Sequence, residues 1–154
     1  MKVFLIIIVA AVFLKSAAAN SQIVDFELAK IDGSSFVKNS EFLGKKTILF
    51  FFSLNCPPCL EKLEKIKEKK RIFKQENLVI INLNDSFEDR NFLRNLKLES
   101  EIILLQAPAN AKIFLRKFGN NLGVLPFVVL LNENGEICQK NTKLFDNAEI
   151  QNCN

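Results

Sequence analysis

Two cysteines separated by two prolines, Cys56-Pro57-Pro58-Cys59, are the residues of this sequence best suited to chemistry. Disulfide exchange needs a thiolate nucleophile, and C-x-x-C spacing puts a second sulfur within reach of the first. The apolar run Thr47 to Leu54 precedes the pair, and Leu60, Leu63 and Ile66 follow it at helical spacing. The motif therefore stands where a buried strand hands over to a helix, with Cys56 at or beside the N-cap. Unpaired N–H groups at a helix N-terminus favour negative charge, and such sites lower a cysteine pKa from about 8.5 into a range of roughly 3.5 to 7.5. Cys56 is expected to attack a substrate disulfide, and Cys59 to attack Cys56 and release the reduced product.

The same pair is compatible with a structural disulfide or with half of a four-cysteine metal site. Zinc is disfavoured by the lack of a second C-x-x-C, by the fifteen-residue separation of Cys138 and Cys153, and by the absence of histidine. Without histidine, Cys-His and Ser-His catalysis are excluded as well. No metal and no other cofactor is expected. A peroxidase is disfavoured because the threonine and proline that peroxiredoxins place before their cysteine are missing.

A second feature is Gly123-Val124-Leu125-Pro126-Phe127-Val128-Val129, in which a proline opens an otherwise buried strand. Proline cannot donate to a central ladder. A cis Leu125-Pro126 peptide would make a tight turn and leave the Leu125 backbone to pair with an extended substrate segment, so Leu125 and Pro126 are candidate substrate-binding residues.

Around these residues the chain alternates strand and helix. Ile23 to Leu28 and Ser35 to Val37 flank the turn Ile31-Asp32-Gly33-Ser34 and predict an N-terminal hairpin. Asn39-Ser40 is expected to cap one helical turn through Leu43, stopped by Gly44. The strand Thr47 to Leu54 and the helix from Pro57, extending toward Ile72 and Phe73, come next. A second buried strand, Leu78 to Leu83, leads to a helix Phe87 to Leu96 with Ser86 as N-cap and Asp89 three residues on. A strand Ile102 to Leu105, a helix Ala109 to Phe118 ended by Gly119, a hairpin of Phe127 to Leu131 with Glu136 to Gln139, and a short helix Asp146 to Gln151 complete the order. This is α/β organisation: a mixed sheet flanked by helices, with an antiparallel end.

Length and composition fit one compact domain: 154 residues, 49% hydrophobic and 25% charged. The net charge of +4 is spread over interleaved acidic and basic residues, which argues against nucleic acid as a partner. Residues 1–19 read as a signal peptide: Lys2, the apolar run Val3 to Leu14, then Ala17-Ala18-Ala19 as a cleavage site. The run is short for a membrane span of about 20 residues, so an uncleaved anchor is the lesser alternative. No cysteine follows it to take a lipid. Residues 20–154 then form the mature domain in an oxidising compartment, the periplasm, where Cys138 and Cys153 are expected to pair as a structural disulfide.

The segment IVDFELAKIDGSSFVKNSEFLGKKTILFFFSLNCPPC, followed by GVLPFVVLLNENGEI, resembles the TlpA/ResA-type branch of periplasmic thioredoxin-like proteins. The resemblance spans essentially the mature chain. It implies a thioredoxin fold with an extra N-terminal β-hairpin, a redox pair at Cys56 and Cys59, and a cis Pro126 beside them. It also implies a reductant of disulfides in exported proteins, for example apocytochrome c in cytochrome c maturation, fed by a membrane thiol reductant of the CcdA/DsbD type. The chain departs from the family pattern at Asn55, where tryptophan usually precedes the first cysteine, and at Lys62 and Glu64, where an acid and a proline usually follow the second. Phe50 stands at the position of thioredoxin's buried aspartate. No buried proton-relay acid is identified, and no dimerisation element, so a monomer is expected. From a different class, a redox-inert thioredoxin-like peptide-binding or chaperone module would use the same proline-led edge without thiol chemistry.

Overall fold

The structure, a computed structural model, describes residues 22–68, 75–96, 98 and 100–154. The predicted signal peptide at 1–19, and the expected extension of the first helix toward Ile72 and Phe73, lie outside the described residues. Among those described, no helix is long and apolar enough to cross a membrane.

Seven strands of the described residues form one sheet: β1 (Glu27–Lys30), β2 (Phe36–Lys38), β3 (Thr47–Phe52), β4 (Asn77–Asn82), β5 (Ile103–Gln106), β6 (Phe127–Leu131) and β7 (Ile137–Asn141). Among the described residues four helices accompany them: α1 (Pro57–Glu68), α2 (Phe87–Asn95), α3 (Ala111–Lys117) and α4 (Asn147–Gln151). The spatial order is β2-β1-β5-β4-β3-β6-β7, with β3, β4 and β5 parallel and the remaining pairs antiparallel. The α/β class with a mixed sheet read from the sequence is thus what the chain forms.

β3 explains why the sheet has two covered faces. All six of its residues, TILFFF, are buried. Successive side chains point to opposite faces, so Leu49 and Phe51 enter one core and Ile48, Phe50 and Phe52 the other. The crossovers β3-α1-β4 and β4-α2-β5 run the same way along the sheet. Right-handed connections then put α1 and α2 on one face, where Leu63, Ile66 and Leu93 pack with Ile150 of α4. The opposite face is closed by α3 and the N-terminal segment, through Phe26, Phe42, Phe114 and Phe118 packed on Phe51. The Phe51 and Phe118 rings lie 5.0 Å apart, edge to face, an arrangement that aromatic pairs favour.

Two local expectations are corrected. The first strand begins at Glu27 rather than Ile23, because residues 22–26 serve another part of the fold. Ile23 bridges Glu136, the Ile137 N–H donates to the Gln22 carbonyl, and Val24 and Phe26 are buried over the α3 face. Alternation there reflects burial against a neighbouring hairpin, a pattern that a paired strand shares. Second, the 3-10 turn Asn39–Phe42 is not capped by Asn39. Its Oδ1 accepts from the Phe26 N–H, and Glu41 instead accepts from the Lys38 N–H at 2.8 Å.

Candidate active site

The last residue of β3 is Phe52, and the chain then turns sharply before α1. The Cys56 N–H donates to the Ser53 carbonyl at 3.1 Å, closing the turn Ser53–Cys56. Inside it, the Ser53 hydroxyl accepts from the Asn55 N–H and from Asn84 Nδ2. The Leu54 N–H donates to Asp89 Oδ2 at 3.1 Å. This turn sits at the carboxyl ends of the parallel strands, next to Asn82 at the end of β4 and Gln106 at the end of β5, which bond to each other. Carboxyl ends of parallel strands are the usual place for a site in an open α/β sheet.

Cys56 stands at the N-cap of α1, and Pro57 and Pro58 occupy its first two positions. The Cys56 carbonyl accepts from the N–H groups of Cys59 and Leu60, starting the helix. The Cys59 N–H also lies 3.2 Å from Cys56 Sγ, so the sulfur takes the place of the side-chain oxygen of an ordinary N-cap. Several backbone N–H groups facing Cys56 were expected from a helix N-terminus. The structure reduces these to the one from Cys59, because proline has no N–H to offer.

Cys56 and Cys59 are joined as a disulfide with Cα atoms 5.2 Å apart. Cys56 keeps 9% of its surface and Cys59 none. Both belong to the core on the α1 face, together with the fully buried Phe50 and Phe52. Glu61, the acid nearest the motif in sequence, is exposed, as its place on the far side of the helix requires.

The Leu125-Pro126 peptide is cis. Pro126 is buried, and the half-buried Leu125 packs against both cores, the one that contains both cysteines included. The β3–β6 register begins at Phe127, opposite Phe51, so Leu125 stays outside the ladder. The loop before it is held by Asn120, whose side chain donates to the Val124 carbonyl and accepts from the Val124 N–H. Of the residues read from the sequence, the fold therefore brings Cys56, Cys59 and Leu125 into one apolar cluster.

Cys138 and Cys153 also form a disulfide, with Cα atoms 5.5 Å apart, tying β7 to the end of α4. Sequence reading missed Asp89. Its pattern with Ser86 was legible as a helix start, but nothing in the sequence tells that its carboxylate reaches Leu54, thirty-five residues away.

The family model described as the AhpC/TSA family matches residues 19–150. Over 129 residues the chain is 26% identical to the thiol-disulfide oxidoreductase ResA of Halalkalibacterium halodurans, covering 82% of this chain and 69% of that one. Among solved structures, the exposed lipoprotein thioredoxin Etrx1 of Streptococcus pneumoniae superposes with a TM-score of 0.64 at 19% identity, covering 83% of this chain and 96% of the other. The thioredoxin domain of a thiol-disulfide oxidoreductase from Bacteroides vulgatus gives 0.64 at 15% identity, covering 89% and 95%. At these identities the structural likeness establishes the thioredoxin fold. The chain belongs to the AhpC/TSA family and is a thiol-disulfide oxidoreductase of the thioredoxin fold.

Proposed function

We propose that this oxidoreductase works outside the cytoplasm as a reductant of disulfides in exported proteins, with Cys56 as attacking sulfur and Cys59 as resolving sulfur. The observation that carries the reading is the asymmetry of the pair. Cys56 sits at a helix N-cap with surface left to it and one N–H donor on its sulfur, whereas Cys59 is wholly enclosed. A Cys56 thiolate attacks a substrate disulfide, one substrate sulfur leaves as thiolate, and a mixed disulfide forms. The Cys59 thiolate then attacks Cys56 Sγ, the second substrate sulfur leaves, and the enzyme is left oxidised with its substrate reduced by two electrons.

Leu125, outside the ladder and against the same cluster, supplies backbone groups for an extended substrate segment beside Cys56. Export rests on the signal-like residues 1–19, and apocytochrome c is the candidate substrate that the likeness to ResA suggests. Regeneration then needs a membrane thiol reductant of the CcdA/DsbD type. The test is insulin-disulfide reduction by the chain from Asn20 onward, with a dithiol as electron source. Turnover by the parent and none by Cys56→Ser supports the reading. Equal activity of the two would leave a peptide-binding module without thiol chemistry.

A further inference from the structure

Asp89 is 3% exposed, one of the few buried charged or polar residues in the fold. Burying a carboxylate is costly unless its oxygens are bonded and its charge is met. None of the ion pairs among the described residues includes Asp89, and its neighbour Arg90 pairs with Asp85 instead. Its two oxygens have separate partners. Oδ1 accepts from the Ser86 hydroxyl at 2.7 Å, and Oδ2 accepts from the Leu54 N–H at 3.1 Å.

An acid three residues after an N-cap normally turns back onto the N-cap N–H, as a capping box. Glu149 does this in α4, accepting from the Asp146 N–H, and Glu41 does it for Lys38. Asp89 does not. Its own helix is capped by Ser86, which accepts from the Asp89 N–H at 3.0 Å and orients the carboxylate at the same time. The oxygen that a capping box would use is spent on a turn thirty-five residues away, two residues before Cys56.

We propose that Asp89 is a positioning residue for Cys56: Ser86 orients its carboxylate, and the carboxylate fixes the Ser53–Cys56 turn that presents the attacking sulfur. Leu54 lies between the end of the β3 ladder at Phe52 and the first helical bond of α1 at Cys56, and its N–H takes its partner from the Asp89 carboxylate. The inference rests on the reading of Cys56 as the attacking sulfur.

The experiment measures the rate at which Cys56 attacks a small aromatic disulfide in a Cys59→Ser background, so that no second sulfur contributes. Thermal midpoints are recorded beside the rates. Loss of the hydrogen bond in Asp89→Ala is expected to slow attack by about tenfold or more, since misplacement of a reacting atom by ~1 Å can cost that much. Asp89→Asn keeps an oxygen for the Leu54 N–H and is expected to stay within about threefold of the parent. Ser86→Ala keeps the carboxylate but frees it, with an expected slowing of about threefold, and serves if Asp89→Ala does not fold. A purely structural role would lower the thermal midpoint while leaving the rate of the folded protein unchanged. A rate within twofold of the parent for Asp89→Ala, or for Ser86→Ala where Asp89→Ala does not fold, would overturn the proposal, as would Asp89→Asn being as slow as Asp89→Ala. If the parent itself fails to react at Cys56, the underlying reading falls and takes the inference with it.

Discussion

The two disulfides of this protein share one core yet differ in what holds them. Cys56–Cys59 is closed within a single helical turn, three residues apart, whereas Cys138–Cys153 closes fifteen residues that include α4. Exposure does not separate them cleanly, because Cys138 is only half-buried while Cys56 is buried. Surroundings do. Cys56 has a helix N-cap, an N–H on its sulfur and a turn bonded by Ser53 and Asp89. Cys138 lies inside an edge strand, and Cys153 follows a helix whose last carbonyls, Ile150 and Gln151, accept from Lys46 Nζ. A short loop releases little chain entropy when opened, so the first pair can cycle without disturbing the fold; a long one constrains the unfolded chain and acts on stability.

The sharpest way to break this contrast is to exchange the roles. Cys56→Ser is expected to bring insulin reduction to background, while replacing both Cys138 and Cys153 by serine leaves turnover within about threefold of the parent, because neither of those sulfurs takes part in the exchange. Comparable losses in the two variants would erase the distinction. Cys59→Ser should accumulate a mixed disulfide with substrate, visible as a larger species on a non-reducing gel, because the resolving step is gone. Removing Cys138–Cys153 should lower unfolding stability by about 3 kcal/mol, the value for a loop of ~15 residues, read as an earlier denaturant midpoint with a slope that is equal or steeper because the unfolded chain is released. The smallest effect is expected from Lys46→Met, which removes the two hydrogen bonds to the end of α4 and costs about 1 kcal/mol, with the exchange rate of Cys56 unaltered.

Much of this arrangement is legible in the sequence, for a physical reason. β3 and β4 are continuous apolar runs, and those form only where both faces of a strand are covered. The motif's place after β3 follows directly, as does the start of α2 at Ser86. Less legible is anything that depends on contacts distant in the chain. The departure of residues 22–26 from β1 depends on Glu136, and the hold on Leu54 depends on Asp89. The double proline is the instructive intermediate case. Its lack of N–H groups is written in the sequence, but the general rule for helix N-termini hid the consequence until the single Cys59 donor was seen.

The central claim, that Cys56 and Cys59 form a reducing couple, is tested most directly by their reduction potential against glutathione, with Cys138 and Cys153 replaced by serine. A potential near or below about −270 mV, the range of thioredoxin, is the predicted result. A value near about −120 mV would mark an oxidant and contradict the proposed direction, and the absence of any exchangeable couple would contradict the thiol chemistry itself.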